Sequence, residues 1–333
     1  MKIHSIEDLI KLLDKIGPPK SGYTRFFRGH SDKTYKLEPS IYRNKGLIRN
    51  ESSIIRDAIV SSPDDFNTSM SLFETLVKLQ HYGYPTRLLD LTTNVLVALY
   101  FCVRNESESE GELLILDIPN EYIKYYDSDT VSILSALSFR NYNFDIGNRN
   151  KNKDFIHNRL VEDLLKYIQT YELLKHNEAI IINQNEKRKE QKKMLLDAEK
   201  YKKSLVSNFN MSRQLEEFNN RDDILKLIHD IKKDKPGFMP KINSNDLKKV
   251  ICVKPKLNNA RIIRQQGCFL LFGINEKKSD VSKVDSSWIN EEKIIILNKT
   301  KIKSELQQFG ISEKILFPEL ESQSKEILSR YRE

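Results

Sequence analysis

The chain opens on a helical stripe. Ile6, Leu9, Ile10, Leu12, Leu13 and Ile16 recur at the three- and four-residue spacing of one helix face across residues 5–16. Ser5 stands where an N-cap belongs, Glu7 and Asp8 suit the positive end of the helix, and Gly17-Pro18-Pro19 stops it. The aromatic-rich run Tyr23 to Arg28 predicts a strand leading into Gly29. Residues 51–60 predict a helix. Ser61-Ser62-Pro63 predicts the start of another, running through Phe66, Met70, Phe73, Leu76, Val77 and Gln80 until Gly83 and Pro85 end it. Thr92 to Val103 is apolar enough for a buried helix with Thr92 or Thr93 near its N-cap, and Gly111 to Ile118 predicts a strand.

The last third returns to strand at Val250–Val253, Cys268–Phe272 and Lys293–Leu297. A helix follows over Thr300–Phe309 with Gly310 as its cap, and Phe317-Pro318-Glu319-Leu320 opens a final amphipathic helix carrying Ile327, Leu328 and Tyr331. Residues 155–235 differ in kind. They hold long Lys/Glu/Leu runs, with neither Gly nor Pro between Asn183 and Pro236. The pattern as a whole predicts an α+β fold on a mixed or antiparallel sheet. Residues 1–150 and 240–333 form its single core, and 151–239 a long helical insertion.

Composition narrows the class. The 333 residues are 39% hydrophobic and 31% charged, which suits a globular protein. The longest apolar run, Val95 to Val103, is far short of the roughly 20 residues of a membrane span. The N-terminus mixes acidic residues into its amphipathic pattern, unlike a signal peptide. A cytoplasmic protein with no membrane partner is the expectation. Cys102, Cys252 and Cys268 match no zinc spacing and are odd in number, so buried reduced thiols are expected and no metal site. The net charge of +8 permits nucleic acid as a partner without requiring it. Between Glu186 and Lys235 there are 14 Lys/Arg against 10 Asp/Glu. Such a helical face is either solvated or a surface for nucleic acid, a protein partner or a second copy.

The chemistry-bearing residues gather in three segments. Arg28 follows two aromatics, and its planar guanidinium suits a phosphate or carboxylate. Gly29 would let a ligand approach the backbone. Arg43 offers a second cation, which together with Arg28 would suit a pyrophosphate or a polynucleotide backbone. In Gln80-His81-Tyr82-Gly83, His81 is either a general base or a helix-end structural residue. Thr86-Arg87-Leu88-Leu89-Asp90 and Thr92 place polar groups around an apolar pair, with Arg87 and Asp90 expected to pair and orient the loop. Gln265 and Gln266, before Gly267, can hydrogen-bond ribose hydroxyls or an amide. No phosphate-binding Walker loop, GxGxxG, HExxH or GxSxG motif is present.

Four segments together carry a family resemblance: FFRGHSDKTYKLEPSIYR (26–43), LVKLQHYGYPTRLLDLTTNVLVALYFCV (76–103), ARIIRQQGCFLLFG (260–273) and GISEKILFPEL (310–320). They resemble the FRG domain, named for a Phe-Arg-Gly motif that here is Phe27-Arg28-Gly29. One departure is Leu91, where that family often has Trp. FRG-domain proteins are bacterial and recur among phage-defence genes, so the resemblance implies an anti-phage effector, a toxin of the abortive-infection type. The order of the motifs is also similar to that of the ADP-ribosyltransferases. Their first core strand carries Arg-Gly or His-Gly for NAD, a later Ser/Thr-bearing strand lines the nicotinamide pocket, and a late Glu or Gln precedes the last core strands. This second similarity implies NAD as substrate, with Arg28-Gly29, Thr86 to Thr92 and Gln265 or Gln266 in those places; with His81 as the candidate general base, Arg28, His81 and Gln265 are the expected catalytic residues. Phe27, Gly29, Arg43, Gln80, Thr86, Arg87, Asp90, Thr92 and Gln266 would surround the substrate. The departure is that no Glu-x-Glu or Gln-x-Glu pair precedes Gly267, so an amide stands where a transferase places its carboxylate. Two alternatives stay open: a nuclease using Arg28, Arg43, His81 and Asp90, and a non-catalytic module that binds a nucleotide or a phage component as trigger.

Overall fold

A computed structural model of the chain describes residues 1–66, 69–105, 109–147, 166, 169 and 213–319. Most of the insertion expected over 151–239, and the final helix expected beyond Glu319, lie outside them. The chain divides into two compact units, the first formed by 1–145, 226–239 and 245–333, the second by 146–225 and 240–244. In the second unit Asn219 staples two segments together. Its Nδ2 donates to the Leu215 and Ile242 carbonyls, and its Oδ1 accepts from the Ile242 amide at 2.8 Å.

The first unit is α+β, built on an eight-stranded mixed sheet in the order β1-β8-β4-β2-β3-β7-β6-β5. The strands are β1 (Lys2–Ile3), β2 (Tyr23–His30), β3 (Leu88–Thr92), β4 (Gly111–Pro119), β5 (Ile123–Tyr125), β6 (Val250–Lys254), β7 (Gly267–Phe272) and β8 (Ile294–Ile296). The outer pairs β1–β8 and β5–β6 are parallel and the rest antiparallel. The register is uneven. β2 and β4 pair over eight residues, from Tyr23↔Pro119 to His30↔Glu112, and β3 and β7 over five. Between them, β2 and β3 share only Phe27↔Thr92. The sheet is therefore split at its centre into two halves.

β2 and β4 alternate between two apolar clusters, as the two-residue period of a strand requires. Phe27, Leu113, Ile115, Ile294 and Ile296 pack under α1 (Ile6–Ile16) and α5 (Val95–Val103). Phe26, Leu116 and Ile118 from one half-sheet meet Leu89, Leu91, Cys252, Leu270 and Phe272 from the other on the opposite face. The three cysteines are free and buried.

Helix starts follow their capping chemistry. α1 begins at Ser5, whose Oγ accepts from the Asp8 amide. α3 (Glu51–Ser61) stands where expected. Two expectations are corrected. The helix expected from Ser61 is instead a short 3-10 turn, Pro63–Asp65, and a separate helix α4 (Leu72–His81). The reason is a capping box: Ser71 Oγ accepts from the Glu74 amide while Glu74 caps the Ser71 amide, which pins the start at Leu72. Likewise Thr92 ends a strand instead of capping a helix. The cap of α5 is Asn94, whose Oδ1 accepts from Leu96 and Val97. A short helix that the pattern did not predict, α8 (Ala260–Gln265), is capped by Asn259 and ends on Gln266 in the left-handed conformation, φ 45°.

Candidate functional site

The split between β2 and β3 is occupied by Arg28. Its Nη1 donates to the Asp90 carbonyl at 2.5 Å, and its Nε donates to His30 Nε2 at 3.0 Å. Arg28 and His30 share a face because they stand two apart on β2. Burial pushes the Arg28 guanidinium down to about 10, Asp90 opposes that, and Arg43 adds to it. It remains a cation at neutral pH, and Arg43 lies near enough to act on both Arg28 and His30.

His30 is the residue behind Arg28. It is 2% exposed, and burial first, then Arg28 and Arg43, push it down to about 3. It is thus neutral. Accepting at Nε2 places its proton on Nδ1, which faces Glu112 Oε2 at 3.6 Å, beyond hydrogen-bond reach. Burial pushes the Glu112 carboxyl up. The sign of the pH effect follows. Unfolded His30 takes up a proton near pH 6.5, folded His30 only near 3, so the unfolded state holds more protons in between. Stability from this residue is present above 6.5 and is lost as pH falls toward 3, at most about 1.4 kcal/mol per pH unit. Denaturation of wild type and His30→Gln across that range should show their stability difference shifting against the wild type as pH drops. Parallel curves would contradict this account of His30.

The second wall is the end of α4 and β3. Gln80 Nε2 donates to Asp90 Oδ1 at 2.9 Å, while Thr86 Oγ1 donates to Gln80 Oε1. Thr86 Oγ1 in turn accepts from the Leu88 amide at 3.1 Å, and the Thr86 amide donates to Ser40 Oγ at 3.2 Å. This relay leaves the Gln80 amide one orientation, with its NH2 toward Asp90. Asp90 itself is exposed, and among the described residues nothing donates to its Oδ2.

The third wall is α8 and the chain after α10 (Glu313–Leu316). Arg261 feels both Asp90 and Glu319, although burial is the largest influence on it and lowers its pKa. Its guanidinium lies 4.5 Å from the centre of the Phe317 ring, with Arg104 at 4.2 Å from the same ring. Glu319 Oε1 stands 3.2 Å from His81 Nε2. His81 is shifted down by burial and then by Arg261, with Glu319 opposing. Through these neighbours Arg43, Arg28, Asp90, Arg261, Glu319 and His81 form one chain of charged and titratable groups along the cleft.

Several residues predicted for the site serve the scaffold. Arg87 is fully buried and pairs bidentately with Glu51, at 2.9 and 2.5 Å, while Nη1 donates to the Phe272 carbonyl. The expected Arg87–Asp90 pair is thus replaced by Arg87–Glu51, because Glu51 at the start of α3 is buried beside Arg87 while Asp90 is exposed. Lys278 Nζ joins at 3.0 Å from Glu51 Oε2 and donates to the Ser138 and Arg140 carbonyls. Burial pushes Lys278 down to about 8. The same burial works to raise Glu51, yet Arg87 and Lys278 hold it below the usual range. At Gly29 a Cβ would stand 1.9 Å from the Ala98 carbonyl oxygen, so the glycine admits the backbone of α5. Phe27 is core. Thr92 Oγ1 donates to the Gln265 carbonyl at 2.6 Å and accepts from the Asn94 amide. Gln265 Nε2 donates to the Leu316 carbonyl at 3.0 Å, and Gln266 meets Thr93 through both backbone and side chain. These three tie β3, α8 and the 316–319 segment together.

A groove of about 390 Å³ is lined by α4 and by the chain from Pro255 to Ile262. Met70, Phe73, Val77 and Ile262 form its apolar lining, and His81, Lys78 and Lys256 contribute polar groups. Among the described residues no group of three or more His, Cys, Asp and Glu could share a metal ion, and no helix is long and apolar enough to cross a membrane.

His30, Arg261 and Glu319 were not singled out from sequence. Two of them had a signal: His30 is two residues beyond Arg28 in a strand, and Arg261 is four before Gln265, one helical turn on the same face.

The family model of the FRG domain matches residues 24–111, so the chain carries an FRG domain there. That stretch holds β2, the end of α4 and β3, and it ends where β4 begins; Arg261, Gln265 and Glu319 lie beyond it. No curated protein and no solved structure matches the chain.

Proposed function

We propose that the cleft binds NAD and breaks its nicotinamide–ribose bond, as an NAD glycohydrolase or an ADP-ribosyltransferase serving cytoplasmic anti-phage defence. The observation that carries this reading is strand order. The three segments whose order is similar to that of the transferases' NAD-binding motifs lie on or immediately before β2, β3 and β7, which are consecutive in the sheet. Arg28 sits at the split between the first two, with Arg43 near enough to act on it and Arg261 near enough to feel Asp90. Arginines flanking one opening suit a ligand with two adjacent phosphates, since each guanidinium can hold oxygens bidentately.

The test is direct. Purified full-length protein incubated with NAD should release nicotinamide, measured chromatographically, alone or with RNA, DNA or protein extract as acceptor. Intact NAD under all of these conditions would overturn the reading.

A further inference from the structure

We infer that Asp90 is the catalytic carboxylate of this cleft, taking the part that the Gln265–Gly267 turn has no acid to play. The inference rests on the NAD-cleaving function proposed above and goes further by assigning the reacting group. Cleavage of NAD breaks the bond between ribose C1′ and the nicotinamide nitrogen. The electron pair leaves on nicotinamide, and positive charge develops at C1′. A preorganised negative group facing that carbon stabilises it. Neither glutamine of the turn can do so. An amide carries no charge, Gln265 is committed to the Leu316 carbonyl, and Gln266 to Thr93.

Three carboxylates lie near enough to be considered. Glu112 is behind His30, with 8% of its side chain exposed, and Arg28 stands between it and the opening. Glu319 faces His81 at 3.2 Å. Asp90 alone of the three lies at the split itself and is exposed there. It is held at two points. Its carbonyl accepts from Arg28, and its Oδ1 accepts from a Gln80 amide whose orientation Thr86 fixes. Oδ2 has no donor among the described residues, and Arg28 and Arg261 both lie near enough for Asp90 to act on their charge, as phosphate-holding cations beside the reacting carbon would. A carboxylate positioned by neighbours whose own partners are fixed is the arrangement that catalysis by preorganisation requires.

The step balances without an added oxidant or reductant. As C1′–N breaks, Asp90 stabilises the cation. A water oxygen, or the hydroxyl of an acceptor, forms the new C1′–O bond, and its proton passes to the Asp90 carboxylate and on to solvent. Gln80 is a positioning residue that acts through Asp90.

Asp90→Asn keeps the shape and can still accept from Gln80. NAD affinity, by calorimetric titration of the full-length variant, should stay within about threefold of wild type, while nicotinamide release falls about 100-fold or more. Asp90→Ala should regain part of its turnover in formate, which supplies a free carboxylate. Wild-type nicotinamide release by Asp90→Asn would overturn the assignment while leaving the NAD function standing. Equal loss of affinity and rate would make Asp90 a binding group and overturn it as well. A wild-type protein that neither binds nor cleaves NAD would overturn the function itself and this role with it.

Discussion

Glu51→Ala should cost the fold about 3–5 kcal/mol, the range seen when one partner of a buried ion pair is removed. Glu51 is 1% exposed, and both its cationic partners, Arg87 and Lys278, are fully buried. Removing the carboxylate leaves two positive groups in the core with carbonyl oxygens and Tyr42, but no anion, beside them. Lys278, already brought down to about 8, can shed its proton, but Arg87 cannot. The variant should unfold at a much lower denaturant concentration. Adding Lys278→Met to Glu51→Ala should recover part of the loss, because the two sites share one network and their effects are not additive. A Glu51→Ala protein within about 1 kcal/mol of wild type would show that this charge node stabilises no more than a surface pair does. The consequence for function is spatial. Arg87 is the neighbour of Thr86, so the node anchors the strand start from which Thr86, Gln80 and Asp90 are arranged.

Gly29→Ala should cost about 3 kcal/mol or more, at or above the upper end of overpacking effects. A methyl group at this position would sit 1.9 Å from the Ala98 carbonyl oxygen and 2.9 Å from the Cys102 nitrogen. Both are backbone atoms of α5, so the helix must move bodily to make room. α5 packs in the cluster that holds Ile3 and Phe27 together with Leu113 and Ile115 of β4, so the displacement would reach the core on that face of the sheet. Chemical denaturation of the variant tests this. If Gly29 instead served ligand approach, the variant would keep wild-type stability and lose only binding.

Much of the fold was legible because its signals are local. The strands over 111–118, 250–253, 268–272 and 293–297 are present with their ends shifted by a residue or so. Each is a short apolar run between turn residues. β3 was not legible, because Asp90 and Thr92 made Leu88–Thr92 read as a polar loop around an apolar pair, with its last residue joined to the apolar run of α5. The start of α4 was misplaced because Pro63 resembles a helix start, whereas the capping box lies eight residues later at Ser71.

The site was legible as segments but not as contacts. Arg28, Gln80 and Asp90 do meet. The partner of Arg87 was not readable, because Glu51 lies 36 residues earlier on a helix whose register against β3 is a tertiary fact. The same holds for Gln265, whose amide is held by a carbonyl 51 residues further on. Sequence order brings residue types to neighbouring strands, but which side chain faces the opening depends on the split between β2 and β3. That split is visible only in the pairing register.

The central claim is that Arg28, at that split, holds the phosphates of NAD for cleavage. The most direct measurement is nicotinamide release from NAD by wild type and Arg28→Ala side by side, with thermal melts confirming that both are folded. Release by the wild type that Arg28→Ala loses is the predicted result. Equal release by the two proteins, or none from the wild type with any acceptor, would contradict it.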